Sequence, residues 1–169
     1  GAVADQPEQN HARIAKRASG KIPLAVSVLT EAYVRGQRWI VYCDDVAQLD
    51  AVSRALVAAG IENMPFHAQM DGDRGETLKW LNVVGGVVVA IKCLDEGVDI
   101  PSVTHALILA SSKNPREFIQ RRGRVLRTAP SKALAYVHDA IVIPPKRDEK
   151  RKFDPILTGE LARAVEFAQ

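Results

Sequence analysis

From Gly85 to Ile91 the chain reads Gly-Gly-Val-Val-Val-Ala-Ile. Once past the glycine pair, no polar residue interrupts the run, so a strand there carries two apolar faces. Such a strand is stable only when both faces are covered, the situation of a central strand in a parallel sheet. That one run demands helices above and below it.

The rest of the sequence supplies them. Pro23 opens a helical pattern running through Leu29 and Tyr33, with Gly36 placed to end it. Trp39 to Cys43 reads as a buried strand, and Asp44-Asp45 as the cap of a helix from Ala47 to Ala59 closed by Gly60. Pro65-Phe66-His67 reads as a short strand, Asp71-Gly72-Asp73 as a turn, and Arg74 to Leu81 as a helix. After the valine run come a strand from Val103 to Ala110, a helix from Arg116 to Arg127 begun by Pro115, and a strand from Ala133 to Val142. Alternation of strand and helix predicts an α/β fold, a three-layer sandwich on a mostly parallel central sheet. The expected division is a lead-in over 1–20, with a short basic helical stretch from His11 to Arg17, one domain over 21–143, and an exit over 144–169. Pro144-Pro145 and the charged run from Lys146 to Lys152 mark that exit, and a helix from Gly159 to Gln169 leads onward. A length of 169 residues suits one domain. A start at Gly1 rather than Met suggests an excised fragment.

Composition narrows the class. No apolar run approaches the roughly 20 residues that span a bilayer. Gly1 to Asn10 is polar and does not resemble a secretory signal. Cys43 and Cys93 are too few for a disulfide framework, and a reducing cytoplasm is expected. The histidines lack ligand spacing, so no metal site is expected. Net charge is only +3, but it is unevenly placed. Between Lys113 and Lys132 stand Lys113, Arg116, Arg121, Arg122, Arg124, Arg127 and Lys132 against Glu117 alone. Like charges so clustered call for an anionic partner or for solvent.

Three segments carry candidate chemistry. In Gln120-Arg121-Arg122-Gly123-Arg124-Val125-Leu126-Arg127, the residues Gln120, Arg124 and Arg127 follow at spacings of four and three, so one helical face presents all of them. Two guanidiniums held that way suit phosphate oxygens; a salt-bridged surface helix is the bland alternative, and acids are scarce nearby. In Asp95-Glu96-Gly97-Val98-Asp99-Ile100-Pro101, a loop follows the valine strand, where open α/β sheets bind ligands. Gly97 permits close backbone approach, and Asp99 suits a ribose hydroxyl; a helix-capping acidic loop is the alternative. Trp39 to Asp45 supplies the first strand of the domain.

Taken together, these segments resemble the C-terminal helicase domain of superfamily 2, from about Lys21 to Val142. Trp39–Asp45 resembles motif IV, Phe66–Met70 the motif IVa region, Val89–Pro101 motif V, and Gln120–Arg127 motif VI, whose pattern Q-x-x-G-R-x-x-R is matched at each defining position. The resemblance implies that Arg124 and Arg127 are arginine fingers for an ATP bound on another domain, with Gln120 orienting them or contacting the nucleotide. It implies that Gly97 and Asp99 approach the nucleotide. Polar groups and amides near Cys43, Asp44, Gln69, Ile91 and Lys92 would follow a nucleic-acid backbone without reading its sequence. Many members place Thr or Ser where this chain has Ile91; Lys92 beside it supplies a point charge instead. The ending Gly-Arg-Val-Leu-Arg is closer to XPB-type and restriction-enzyme-type DNA translocases than to DEAD-box RNA helicases, which favours DNA. No G-x-x-x-x-G-K-[ST] occurs. ATP and its Mg²⁺ are therefore expected on an N-terminal RecA-like partner domain, and the isolated chain is expected not to hydrolyse ATP. Two other readings stand beside this one. A motor-like module that has lost catalysis would serve nucleic-acid or protein binding. A free-standing doubly wound nucleotide-binding domain would need a glycine-rich loop where Asp44-Asp45 stands.

Overall fold

The computed structural model describes residues 18–91, 103–110, 136–143 and 155–168. In chain order these form α1 (Lys21–Ala32), β1 (Arg38–Tyr42), α2 (Val46–Ala58), β2 (Asn63–Phe66), α3 (Arg74–Val83), β3 (Gly86–Ala90), β4 (His105–Ile108), β5 (Tyr136–Asp139) and α4 (Pro155–Ala168). The five strands make one sheet in the order β2-β3-β1-β4-β5, and each neighbouring pair is parallel. The valine run is indeed internal: β3 lies between β2 and β1, and all five of its residues are buried.

Period-two alternation divides β1 between two cores. Trp39, Val41 and Cys43 face α1 and α2, packing with Ala25, Leu29, Leu49, Val52 and Leu56. Ile40 and Tyr42 face the other way, with Phe66, Val88, Ala90 and Leu81 of α3. Leu49, Val52 and Leu56 follow at spacings of three and four, which puts them on one face of α2. Burying each such side chain contributes about 1.5–3 kcal/mol.

Local chemistry sets the helix ends. Asp45 caps α2, its Oδ1 accepting from the Gln48 amide at 2.8 Å. Asp73 caps α3 by accepting from the Gly75 amide at 2.7 Å. After α2, Gly60 adopts φ +79, its amide donating to Val57, while the Ile61 amide reaches back to Leu56. That is a Schellman stop, and Ile61 and Leu56 are buried in the same cluster, as the motif favours. Among the boundaries that differ from expectation, three are instructive. α1 starts at Lys21, so Pro23 sits within the first turn, where any of the amides lacks a helical acceptor and a missing one is tolerated. Gly36 does not end α1, which stops at Ala32; it serves the turn beyond, at φ +93. α4 likewise starts earlier than Gly159, at Pro155.

At the N-terminal ends of β1, β4 and β5 a column of rings crosses the sheet. Register sets Trp39 beside His105, and His105 beside Tyr136. Their rings stack at 4.4 Å and 4.9 Å between centroids, and His138 stacks on Trp39 at 5.3 Å. Thr104 Oγ1 donates to the Arg38 carbonyl, accepts from the Arg38 amide and lies 2.9 Å from His105 Nδ1. With the single hydroxyl proton given to Arg38, His105 Nδ1 is assigned as the donor. Burial lowers the pKa of both histidines, and the neighbouring His138 lowers that of His105 further.

Close backbone approach explains the glycine pair. A Cβ on Gly85 would lie 2.7 Å from the Gly36 carbonyl oxygen, and one on Gly86 would strike the Trp80 ring. Strand β2 borders the sheet among the described residues and carries Pro65.

Candidate nucleotide and nucleic-acid face

Because every strand is parallel, all five exits gather along one edge. β1 leads by α2 to β2, whereas β4 leads to β5 on the opposite flank. The two adjacent strands thus send their chains in opposite directions, and a crevice at such a reversal is the usual ligand position of an open parallel sheet.

The exits are firmly laddered. The Cys43 amide donates to Ala90 at 2.7 Å, the Ile91 amide to Phe66 at 3.2 Å, the Leu109 amide to Tyr42 at 3.0 Å and the Ala140 amide to Ile108 at 2.9 Å. The thiol of Cys43 is buried in the core beneath α1 and α2. Burial first, then the carboxylates of Asp45 and Asp44, push its pKa up to about 12. The thiol is a neutral packing group. The Asp44 amide is engaged as well, donating to Gln48 Oε1 at 2.7 Å. Gln48 and Asp45 thus bond each other's turn reciprocally, a variant of the capping box.

Gln69 is exposed in the turn after β2, where the Met70 amide donates to His67. Ile91 is half-buried and packs on the α1/α2 core. The exits of β2, β3 and β1 are neighbours, so the structure brings Gln69, Ile91 and Cys43–Asp44 to one side of the edge. Lys92, Gly97, Asp99, Gln120, Arg124 and Arg127 lie outside the described residues. Among the described residues, no group of three or more His, Cys, Asp or Glu side chains is placed to hold a metal ion. Among them too, no helix is long and apolar enough to cross a membrane.

One side chain at this edge carries no motif signature. Lys21 is buried, and its Nζ donates to the carbonyl of Leu109 at the exit of β4. The signal available in sequence was its spacing of four and eight from Ala25 and Leu29, the buried face of α1.

The family described as helicase conserved C-terminal domain matches residues 21–129. The chain belongs to that family. Its match spans α1 to β4 and the octet from Gln120 to Arg127. This helicase C-terminal domain is 30% identical over 122 residues to DNA 3'-5' translocase XPB2 of Sulfurisphaera tokodaii, covering 72% of the chain and 26% of that protein. It is 27% identical over 129 residues to DEAD-box ATP-dependent RNA helicase 50 of Oryza sativa, covering 70% of the chain and 20% of the relative. It thus spans a fifth to about a quarter of these relatives' lengths. Among solved structures, E. coli DEAD-box protein SrmB superposes with a TM-score of 0.60 at 26% identity, over 74% of this chain and 72% of that one. The type ISP restriction-modification enzyme LlaBIII shares the fold, with a TM-score of 0.66 at 18% identity over 96% of this chain and 13% of that one. The domain is therefore the RecA-like C-terminal unit of superfamily 2, on a parallel α/β sheet.

Proposed function

We propose that this domain is the C-terminal half of an ATP-driven motor that translocates along or unwinds nucleic acid, with DNA as its track. One observation carries the reading: the octet Gln120–Arg127 presents two arginines at helical spacing within a span that matches the helicase family. In this reading Arg124 and Arg127 reach the γ-phosphate of an ATP whose Mg²⁺ and phosphates are held by an N-terminal RecA-like domain. Planar guanidiniums there stabilise charge as the phosphoryl group is transferred. Gln120 orients them, and Gly97 and Asp99 border the nucleotide. The two domains close on ATP and reopen after hydrolysis, a hinge cycle.

Gln69, Ile91 and Lys92 form this domain's share of the track. Cys43 and Asp44 contribute shape there, since the thiol is buried and both amides are already bonded. The likeness to a DNA translocase at 30% identity supports DNA. The RNA helicase relative at 27% makes RNA the alternative to be tested. The protein works in a reducing cytoplasm, its cysteines held as thiols.

The test is ATP turnover by the full-length protein with single-stranded DNA, duplex DNA and RNA. DNA is expected to stimulate more than RNA. Arg127→Ala is expected to lower turnover by about 10³-fold or more, the scale of an arginine finger. The isolated chain is expected to show no turnover. Undiminished turnover in Arg127→Ala would refute the finger role, and stronger stimulation by RNA would reassign the track.

A further inference from the structure

Helix α4 is built inside out. Among its described residues the acid Glu160 is buried, at 8% exposure, while Leu161 and Val165 are 49% and 60% exposed. The carboxylate faces the domain because its Oε2 accepts from the Val142 amide at 3.0 Å, which pins the helix at the exit of β5. A surface helix ordinarily does the reverse, turning its aliphatic stripe to the core and its charges to water. Leu161 and Val165 stand one turn apart, with the exposed Ala162 beside them, so they form one outward face. Ile143 extends it. It follows directly on Val142, as Leu161 follows on Glu160, and it is 72% exposed. Single exposed aliphatics are ordinary, but a contiguous group on a pinned helix marks a contact surface.

Charge and size select the occupant. From Pro155 to Ala168 the helix carries Glu160 and Glu166 against Arg163. It has no basic excess with which to meet nucleic-acid phosphates or anionic lipid headgroups. The partner is therefore an apolar protein surface. A stable complex of two separate proteins buries about 800 Å² on each partner. Three partly exposed aliphatic side chains and an alanine supply only part of that. So small a contact persists when both halves belong to one polypeptide, where the effective concentration reaches about the millimolar range. The relatives leave room for such a neighbour, since the matched stretch is 26% of the XPB2 translocase and 20% of RNA helicase 50.

We propose that the outer face of α4, formed by Leu161, Ala162 and Val165 with Ile143 beside them, seats a neighbouring domain of the same longer polypeptide, which covers it with an aliphatic surface of its own. This contact is independent of the roles assigned to Gln120, Arg124 and Arg127.

The experiment is alkylation of Val165→Cys in the full-length protein by N-ethylmaleimide, with no nucleic acid or lipid present. The modified peptide is followed by mass, in native buffer and in denaturant. Its exposure within the domain is too high to slow the reaction greatly by itself. The native rate is expected to be at least about tenfold below the unfolded one, and equal in dilute and concentrated protein. A smaller difference overturns the proposal, including one that widens only when duplex DNA or anionic phosphatidylglycerol vesicles are added. Protection that fades on dilution overturns it as well, because the cover is then a second copy. Should Val165→Cys not fold, Leu161→Cys is read by the same two comparisons.

Discussion

At the N-terminal ends of the strands the sheet is locked by neutral groups: the rings of Trp39, His105, Tyr136 and His138, the Thr104 hydroxyl, and glycines that let backbones touch. At the C-terminal ends the anchoring groups are charged: Lys21 and Glu160 buried on backbone partners, and Asp45 capping α2. Neutral packing tolerates burial at little desolvation cost and gives rigidity. Buried ionic groups are the more expensive device, and here they stand at the exits of β4 and β5. The difference separates two ends of unlike chemistry, and variants can break that separation.

Trp39→Ala should do the most damage. It removes a fully buried indole and the ring on which both histidines stack, at about 3–5 kcal/mol, read by denaturant unfolding of the chain. A loss below about 1 kcal/mol would mean that the column adds little. Gly85→Ala comes next, at about 1–3 kcal/mol, because a methyl would be pressed onto the Gly36 carbonyl at φ +80. A melting temperature equal to the parent's would show that the two loops can part. On the proposed function, both variants should leave the response of the full-length protein's ATP turnover to DNA unchanged per folded molecule. On the charged end, Asp45→Ala should remove the α2 cap at about 1 kcal/mol, measured the same way. Asp45→Asn should recover most of it, since the amide oxygen also caps.

The smallest effect is a slope with pH. His105 and His138 have lowered pKa values in the fold, while the unfolded chain titrates near 6.5. Below that value the unfolded state takes up protons before the folded state does, so protons favour unfolding. Stability from this pair should therefore be complete above about pH 6.5 and decline as pH falls toward the lowered folded values. Replacing both with Gln should flatten that part of the profile. An unchanged slope would place the acid sensitivity elsewhere.

Much of this was legible in the residues. Asp45, Asp73 and Gly60 act within a few residues of where they stand, so their capping roles follow from local sequence. The valine run declared itself central because nothing polar interrupts it. Pro23 misled by two residues because proline fits throughout a helix's first turn. The ring column escaped notice for a different reason: Trp39, His105 and Tyr136 meet only once β4 is registered between β1 and β5, and no local pattern encodes that order. Lys21 escaped because a lysine at a helix start reads as solvated, and its acceptor is a backbone carbonyl that sequence cannot name. The motif residues from Gly97 to Arg127 are the reverse case, recognisable by pattern while lying outside the described residues.

Pro65 has a consequence for how the protein behaves among its own copies. Phe66 turns its carbonyl inward to Ile91, so the backbone nitrogen and carbonyl of the preceding residue, Pro65, face away from β3. At that outward position a ring stands where an amide hydrogen would be. A visiting strand seeking to add itself alongside β2 finds its hydrogen-bond donor missing. Among the described residues that strand borders the sheet, so pairing along that flank would forgo one ladder bond at Pro65.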